Sequence, residues 1–282
     1  MSNAHAFAAP NNSLVYPTLC RIGVHDVRDA LREGFDDFLN NPSHLVFLGL
    51  IYPTVGLCLA FWTSNLNLLP LLYPLISGFA LIGPFAAIGI YETSRRREAG
   101  LDASWRHAFA VARSPSLPAI AALGVALTVI FLLWLMTASS LYQWLFAPLG
   151  AFAPQRFIAD LFTTDRGRDL MLVGNVTGFT FAATAFCISA VSFPLLLDRH
   201  VGAGAAVFTS IHAVLDNPLP MLVWALIIAA GLAIGFVTLL VGLAVVVPVL
   251  GHATWHLYRK VVEPLPAETQ ARNPRGDVGH EK

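Results

Sequence analysis

Long apolar runs separated by short polar stretches dominate this chain. Four of them, at about 44–63, 68–91, 117–137 and 170–195, stand out at once. Each is near the ~20 residues a helix needs to cross a hydrocarbon core of about 30 Å, where its backbone groups must be bonded internally. A fifth run, about 219–258, is too long for one crossing, since a single straight helix of that length would extend about 60 Å at 1.5 Å per residue. It reads as two spans joined by a turn near "GFVTL", although no polar loop marks the break. The pattern predicts an all-α membrane protein with about six transmembrane helices, arranged as three hairpins.

Charge placement tests the count. Short cytoplasmic loops collect Lys and Arg. With six spans and both termini cytoplasmic, 14 of the 17 Lys and Arg fall inside, and only Arg156, Arg166 and Arg168 fall outside. Five spans would place "YRK" at Tyr258–Lys260 and the tail after it on the outer side, which weakens the bias. The expected orientation has both termini on the cytoplasmic face.

Each hairpin is introduced by a similar stretch: "ALREGFDDFLNNPSHLVFLGL", "SWRHAFAVARSPSLPAIAALG" and "AAVFTSIHAVLDNPLPMLVWAL". Aligned on Pro42, Pro115 and Pro218, apolar or small residues recur three, four and seven positions upstream. They are Leu39, Phe38 and Phe35, then Ala112, Val111 and Ala108, then Leu215, Val214 and Ile211. This spacing lays one apolar stripe along a short helix whose other face carries Asp36, Asp37, Arg106, His107, Arg113 or His212. Such an amphipathic helix lies flat at the membrane interface, and the proline turns the chain from along the surface to across it. The second spans of the first and third units also align, with Pro84, Tyr91, Glu92 and Arg95 matching Pro248, Trp255, His256 and Arg259. The domain reading is thus a mobile tail at 1–20, one polytopic membrane domain at 21–262 with repeats at about 24–92, 103–198 and 204–260, and a disordered tail at 263–282. The segment "SSLYQWLFAPLGAFAPQRFIADLFTTDRGRD" interrupts the repeat, and its Tyr142, Trp144, Phe146 and Phe152 suit an outer interfacial cap.

Composition agrees with this architecture: 56% of the 282 residues are hydrophobic and 12% are charged, against about 25% charged in a soluble domain. A net charge of zero gives no footing for a nucleic-acid partner. Cys20, Cys58 and Cys187 match neither a disulfide framework nor a zinc spacing.

Candidate chemistry gathers at the end of the last span, in "VVVPVLGHATWHLYRK". His252 and His256 are four apart and share a helix face, so they are the weak candidates for a metal or haem. A site of that kind needs further ligands, and no HExxH or third intramembrane histidine supplies them. Their neighbours Trp255, Tyr258, Arg259 and Lys260 read instead as an aromatic and basic anchor at the cytoplasmic boundary. A third reading is a polar cluster of Glu92, Asp198, His252 and His256 where the repeats converge. Asn175, Thr177, Thr180 and Thr184 either line a path or bond between helices, and Gly49, Gly56, Gly78, Gly83, Gly231 and Gly235 permit close helix approach. Arg95–Glu98, "RRRE", reads as a loop touching anionic headgroups. No catalytic residue and no cofactor is assigned.

The run "RIGVHDVRDALREGFDDFLNNPSHLVFLGLIY", with "LGHATWHLYRK" near the C-terminus, resembles an uncharacterised bacterial integral-membrane family, domain of unknown function family 2189. Some of its members are labelled cytochrome c oxidase. The resemblance implies topology, and the label implies a respiratory-chain association. The catalytic subunit of a haem-copper oxidase has about twelve spans and six buried ligand histidines, which this chain does not match. The expected role is a non-catalytic scaffold, accessory or assembly component contacting lipids or other membrane proteins. The alternative is a small-molecule or lipid transporter or channel, and the third a metal- or haem-binding redox protein.

Overall fold

The fold was analysed in a computed structural model that describes residues 17–40, 69–104, 111–146, 154–238 and 242–264, together with 54, 56, 57 and 59–61. Most of the expected first span at 44–63, the stretch 105–110 of the second surface helix, Phe152, and most of both tails lie outside the described residues. The described chain is helical, and three helices are long and apolar enough to cross a membrane: Leu117–Phe146, Asp165–Asp198 and Pro218–Val237.

A first helix, α1 (Val24–Asn40), precedes the spans. The next apolar run, expected as one helix over 68–91, is divided into α2 (Leu69–Phe79), a tight 3-10 turn at Ala80–Ile82, α3 (Gly83–Ala86) and α4 (Ile88–Glu98). Pro84 is the physical reason: its ring excludes the carbonyl four residues back, at Ala80, and it has no N–H to offer. Pro194 acts the same way in the run expected at 170–195. There α7 (Asp165–Ser189) gives way to α8 (Ser192–Asp198), and Ser192 Oγ donates to the Ile188 and Ala206 carbonyls at the join.

Helix α5 (Leu117–Phe146) pairs with α7. Trp134 holds this pair to α2, its Nε1–H donating to the Pro74 carbonyl at 2.8 Å. Gly78 and Gly178 leave the space that its indole fills. Beyond α5, α6 (Pro154–Thr163) packs on the start of α7, and Tyr142, Phe146 and Phe157 form a small aromatic cluster there. Trp144 faces outward.

The last apolar run is two helices, α10 (Pro218–Val237) and α11 (Leu243–Val261), preceded by α9 (Ala203–Asp216). The break falls where "GFVTL" ends, and the Gly242 N–H bonds to Thr238 Oγ1 at 3.0 Å. Gly231 faces Val246 and Leu250, and Gly235 faces Leu243, so both glycines let the two helices approach. Gly83 does not serve this purpose, since a Cβ there would meet nothing within 4 Å. Residues 18–20, expected in a mobile tail, pair with 261–263 through Cys20 N–H to Val261 O and Glu263 N–H to Thr18 O.

In helices α1 and α9 the apolar stripes are divided: Phe38 is buried and Val214 packs on the core, while Phe35, Leu39 and Leu215 are exposed. In α1 the buried residues are Val27, Ala30, Gly34, Asp37 and Phe38, while Phe35 and Leu39 are exposed. In α9 they are Ala205, Ala206, Thr209, Ser210 and Ala213, while Phe208 and Leu215 are exposed. Small residues such as Ala30, Gly34, Ala206 and Ala213 pack against protein because they let backbones come close. Asp37, expected on the polar face, is thereby carried into the protein.

Candidate functional site

Helix α1 lies against α11, and the contact is set by Gly34. A Cβ at this position would come within 2.4 Å of the Ala253 backbone nitrogen. This approach aligns two rows. On α1, Glu33 and Asp37 are four apart, and on α11 His252, His256 and Lys260 follow the same spacing, one helical turn each. His256 sits between the two acids, with Nε2 2.9 Å from Asp37 Oδ2 and Nδ1 3.2 Å from Glu33 Oε2. Lys260 Nζ donates to Glu33 Oε1 at 3.0 Å.

Asp37 is the hub. Beyond His256 it receives Arg97 Nη1 at 3.1 Å on Oδ1 and the Ser94 hydroxyl at 3.3 Å on Oδ2. Ser94 Oγ also lies 2.6 Å from His252 Nδ1, and His252 itself is only 1% exposed. With the proton on Nδ1, His252 donates to Ser94 and Ser94 donates to Asp37, so each buried group is satisfied. Burial alone would push the Asp37 carboxyl up; the His256 hydrogen bond and the nearby positive charges of His256, His252 and Arg97 outweigh it and hold the carboxyl below its ordinary range.

A second network joins α4, α8 and α11. Glu92, buried, is gripped by Arg95 in a two-bond fork at 2.7 and 2.8 Å. Asp198 accepts from Tyr258 Oη at 2.5 Å and from Arg259 Nη1 at 3.2 Å. Glu98 takes the Trp255 indole N–H at 2.9 Å and Arg259 Nε at 3.1 Å. Trp255 and Tyr258 are each 1% exposed. They were expected in an aromatic and basic anchor at the cytoplasmic boundary; their polar atoms close on carboxylates between helices.

The four residues Glu92, Asp198, His252 and His256 therefore lie at one arginine-rich end of the molecule, divided between two networks. Asp37, read from sequence only as part of a polar helix face, completes the histidine network together with Ser94 and Glu33, which the sequence reading did not single out. A signal for Asp37 exists in the row Val27, Ala30, Gly34 and Asp37, whose 3-4-3 spacing of mostly small residues marks a close-packed face. Ser94 and His252 are at hydrogen-bond distance, but both are buried and the carboxylate sits on the serine rather than beyond the ring, so this pair lacks the geometry of a serine–histidine–carboxylate triad. Among the described residues, no three His, Cys, Asp or Glu side chains are placed to hold a metal ion.

The span residues tell a similar story. Thr180 and Thr184 bond to carbonyls of their own helix and face outward, and of the expected set Asn175 reaches another element, accepting from Tyr73 Oη at 2.9 Å.

Residues 72–198 match the model of a family described as "Predicted integral membrane protein (DUF2189)". No curated protein and no solved structure matches the chain. The matched stretch runs from within α2 to the end of α8 and contains Glu92, Ser94 and Asp198, whereas Asp37, His252 and His256 lie outside it, as do the two motifs that first carried the resemblance. Over residues 72–198, somewhat less than half of the chain, the sequence is thus similar to this family of predicted integral membrane proteins.

Proposed function

We propose that this protein is a non-catalytic scaffold, accessory or assembly component of a bacterial inner membrane, working by contact with lipids and with other integral membrane proteins. In this reading it has six spans and both termini in the cytoplasm. They are organised as three units of a surface-lying helix followed by a membrane hairpin. One observation carries the reading: the buried acids and histidines of the two networks are bound to their neighbours, while the outward faces of the long helices are broad and apolar. In the apolar windows of α5, α7–α8 and α10, only 28%, 50% and 22% of the residues are buried. Val125, Leu133 and Met136 of α5, Leu172 and Phe179 of α7, and Leu226 and Ile234 of α10 all face out. Lipid tails are as apolar as leucine, so such faces accept lipid or a neighbouring span equally, and packing decides between them.

The test is co-purification in a mild detergent followed by identification of stoichiometric membrane-protein partners. Recovery of a defined partner at a fixed ratio is expected. The chain running alone under those conditions, and carrying a solute across liposomes, would overturn the reading in favour of the transporter. That second reading draws on the helix break at Ala80–Ile82, since transporters place irregular backbone at their binding sites.

A further inference from the structure

A cavity of about 320 Å³ opens between the end of α4, the segment Val111–Pro115 and the end of α8. At about 30 Å³ per water it holds roughly ten waters, which is room for a phosphate group and part of its alcohol. Three guanidinium groups line it, those of Arg95, Arg96 and Arg113, together with Ser114 and His200. Two carboxylates, Glu92 and Asp198, also line it, but both are already engaged. Glu92 is held by Arg95, and Asp198 by Tyr258 and Arg259.

The donors outnumber what these acids accept. Each guanidinium has five N–H donors. Arg95 uses two nitrogens on Glu92, and Arg96 gives Nε to the Asp102 carbonyl at 2.6 Å with one Nη 3.9 Å from Glu92. Arg113 is exposed and makes no hydrogen bond or ion pair among the described residues. His200 turns Nδ1 to Ser116 Oγ at 3.2 Å. Beside the cavity begins α5, a helix of 30 residues whose N-terminal partial positive charge adds to the field.

We propose that this cavity binds a phosphate group, with Arg96 and Arg113 as the principal ligands and Ser114 beside them. The guanidinium fork matches tetrahedral phosphate oxygens in geometry as well as charge. The cavity lies where α5 begins, and the outward face of that helix, Leu117 and Val125, is apolar. A lipid phosphate held here would lay its acyl chains along α5, while a soluble phosphate would occupy the same donors alone. The inference rests on these residues and not on the accessory role.

The full-length protein in a neutral detergent is titrated with inorganic phosphate, with short-chain phosphatidic acid and with short-chain phosphatidylcholine, and binding is followed by thermal shift. Saturable binding of phosphatidic acid is expected, weakened about tenfold in Arg113→Gln and in Arg96→Gln. It should be unchanged in Arg32→Gln, an exposed arginine of α1 away from the cavity. Arg113→Gln removes no bond seen among the described residues, so its ligand-free melting temperature should equal that of the parent; it decides the matter even if Arg96→Gln folds poorly. Phosphatidic acid binding without inorganic phosphate binding assigns the site to a lipid headgroup, and comparable binding of both assigns it to soluble phosphate. Three results would each overturn the proposal: no saturable binding of either anion, equal binding of phosphatidylcholine, or losses in Arg32→Gln matching those in Arg113→Gln.

Discussion

Asp37 is bound by groups from α4 and α11 at once, which makes it the residue on which the docking of α1 depends most. Its partner His256 is 219 residues away in the chain, so each hydrogen bond closes a long-range contact rather than a local turn. A hydrogen bond to a charged group contributes about 1.5–3 kcal/mol, and Asp37→Asn keeps the shape while removing the charge. The substitution is expected to lower stability by about 2 kcal/mol, read from the melting temperature in detergent. The same carboxyl gives acid sensitivity with a definite sign. Because its folded-state pKa is depressed, the stability it contributes is fully present above the ordinary carboxylate value. That stability is lost as pH falls from there through the folded value. The parent protein should therefore lose stability below about pH 4, and comparison with Asp37→Asn should show that part of the acid loss missing from the variant.

At the scale of elements, the interface of α1 with α11 is governed by close backbone approach. Alanine is a better helix former than glycine by roughly 1 kcal/mol, so a glycine in mid-helix is retained where space is short. Gly34→Ala places a Cβ 2.4 Å from backbone that has no side-chain freedom to yield. It should destabilise by about 1–3 kcal/mol in spite of the gain in propensity. Gly204→Ala in α9, where a Cβ would meet nothing within 4 Å, should be neutral or stabilising by a few tenths of a kcal/mol. The opposite signs of the two substitutions, measured in one thermal-shift experiment, test the packing directly. Equal effects would show that α1 does not rest on Ala253.

For the whole molecule, the proposed topology makes a claim about sides. Reporter fusions after Gly100, after Gly202 and at the C-terminus should all give a cytoplasmic signal, and a fusion at Thr164 a periplasmic one. A periplasmic C-terminus would remove the six-span, two-ends-inside arrangement, whatever the helix packing. The two polar networks and the arginine-lined cavity would then face the outer leaflet instead of the inner one.

Membrane class, helical content and the places where the chain must turn were legible from residue order alone. These depend on local quantities: the length of an apolar run, the missing N–H of a proline, the distribution of Lys and Arg. The division of 219–258 into two helices followed from nothing more than bilayer thickness. Pro84 and Pro194 carried the two helix breaks in plain view, and their effect went unread because an apolar run looks continuous in hydropathy whether or not its backbone is. Tertiary structure alone decided which face of α1 turns inward. In a membrane large apolar side chains gain little by leaving lipid, so Phe35 and Leu39 stay outside while Ala30, Gly34 and Asp37 share the buried side with Val27 and Phe38. It also decided that His252 meets Ser94, 158 residues distant, and that His256 meets Asp37. No local pattern encodes such pairings, because they exist only once separate helices have been brought side by side.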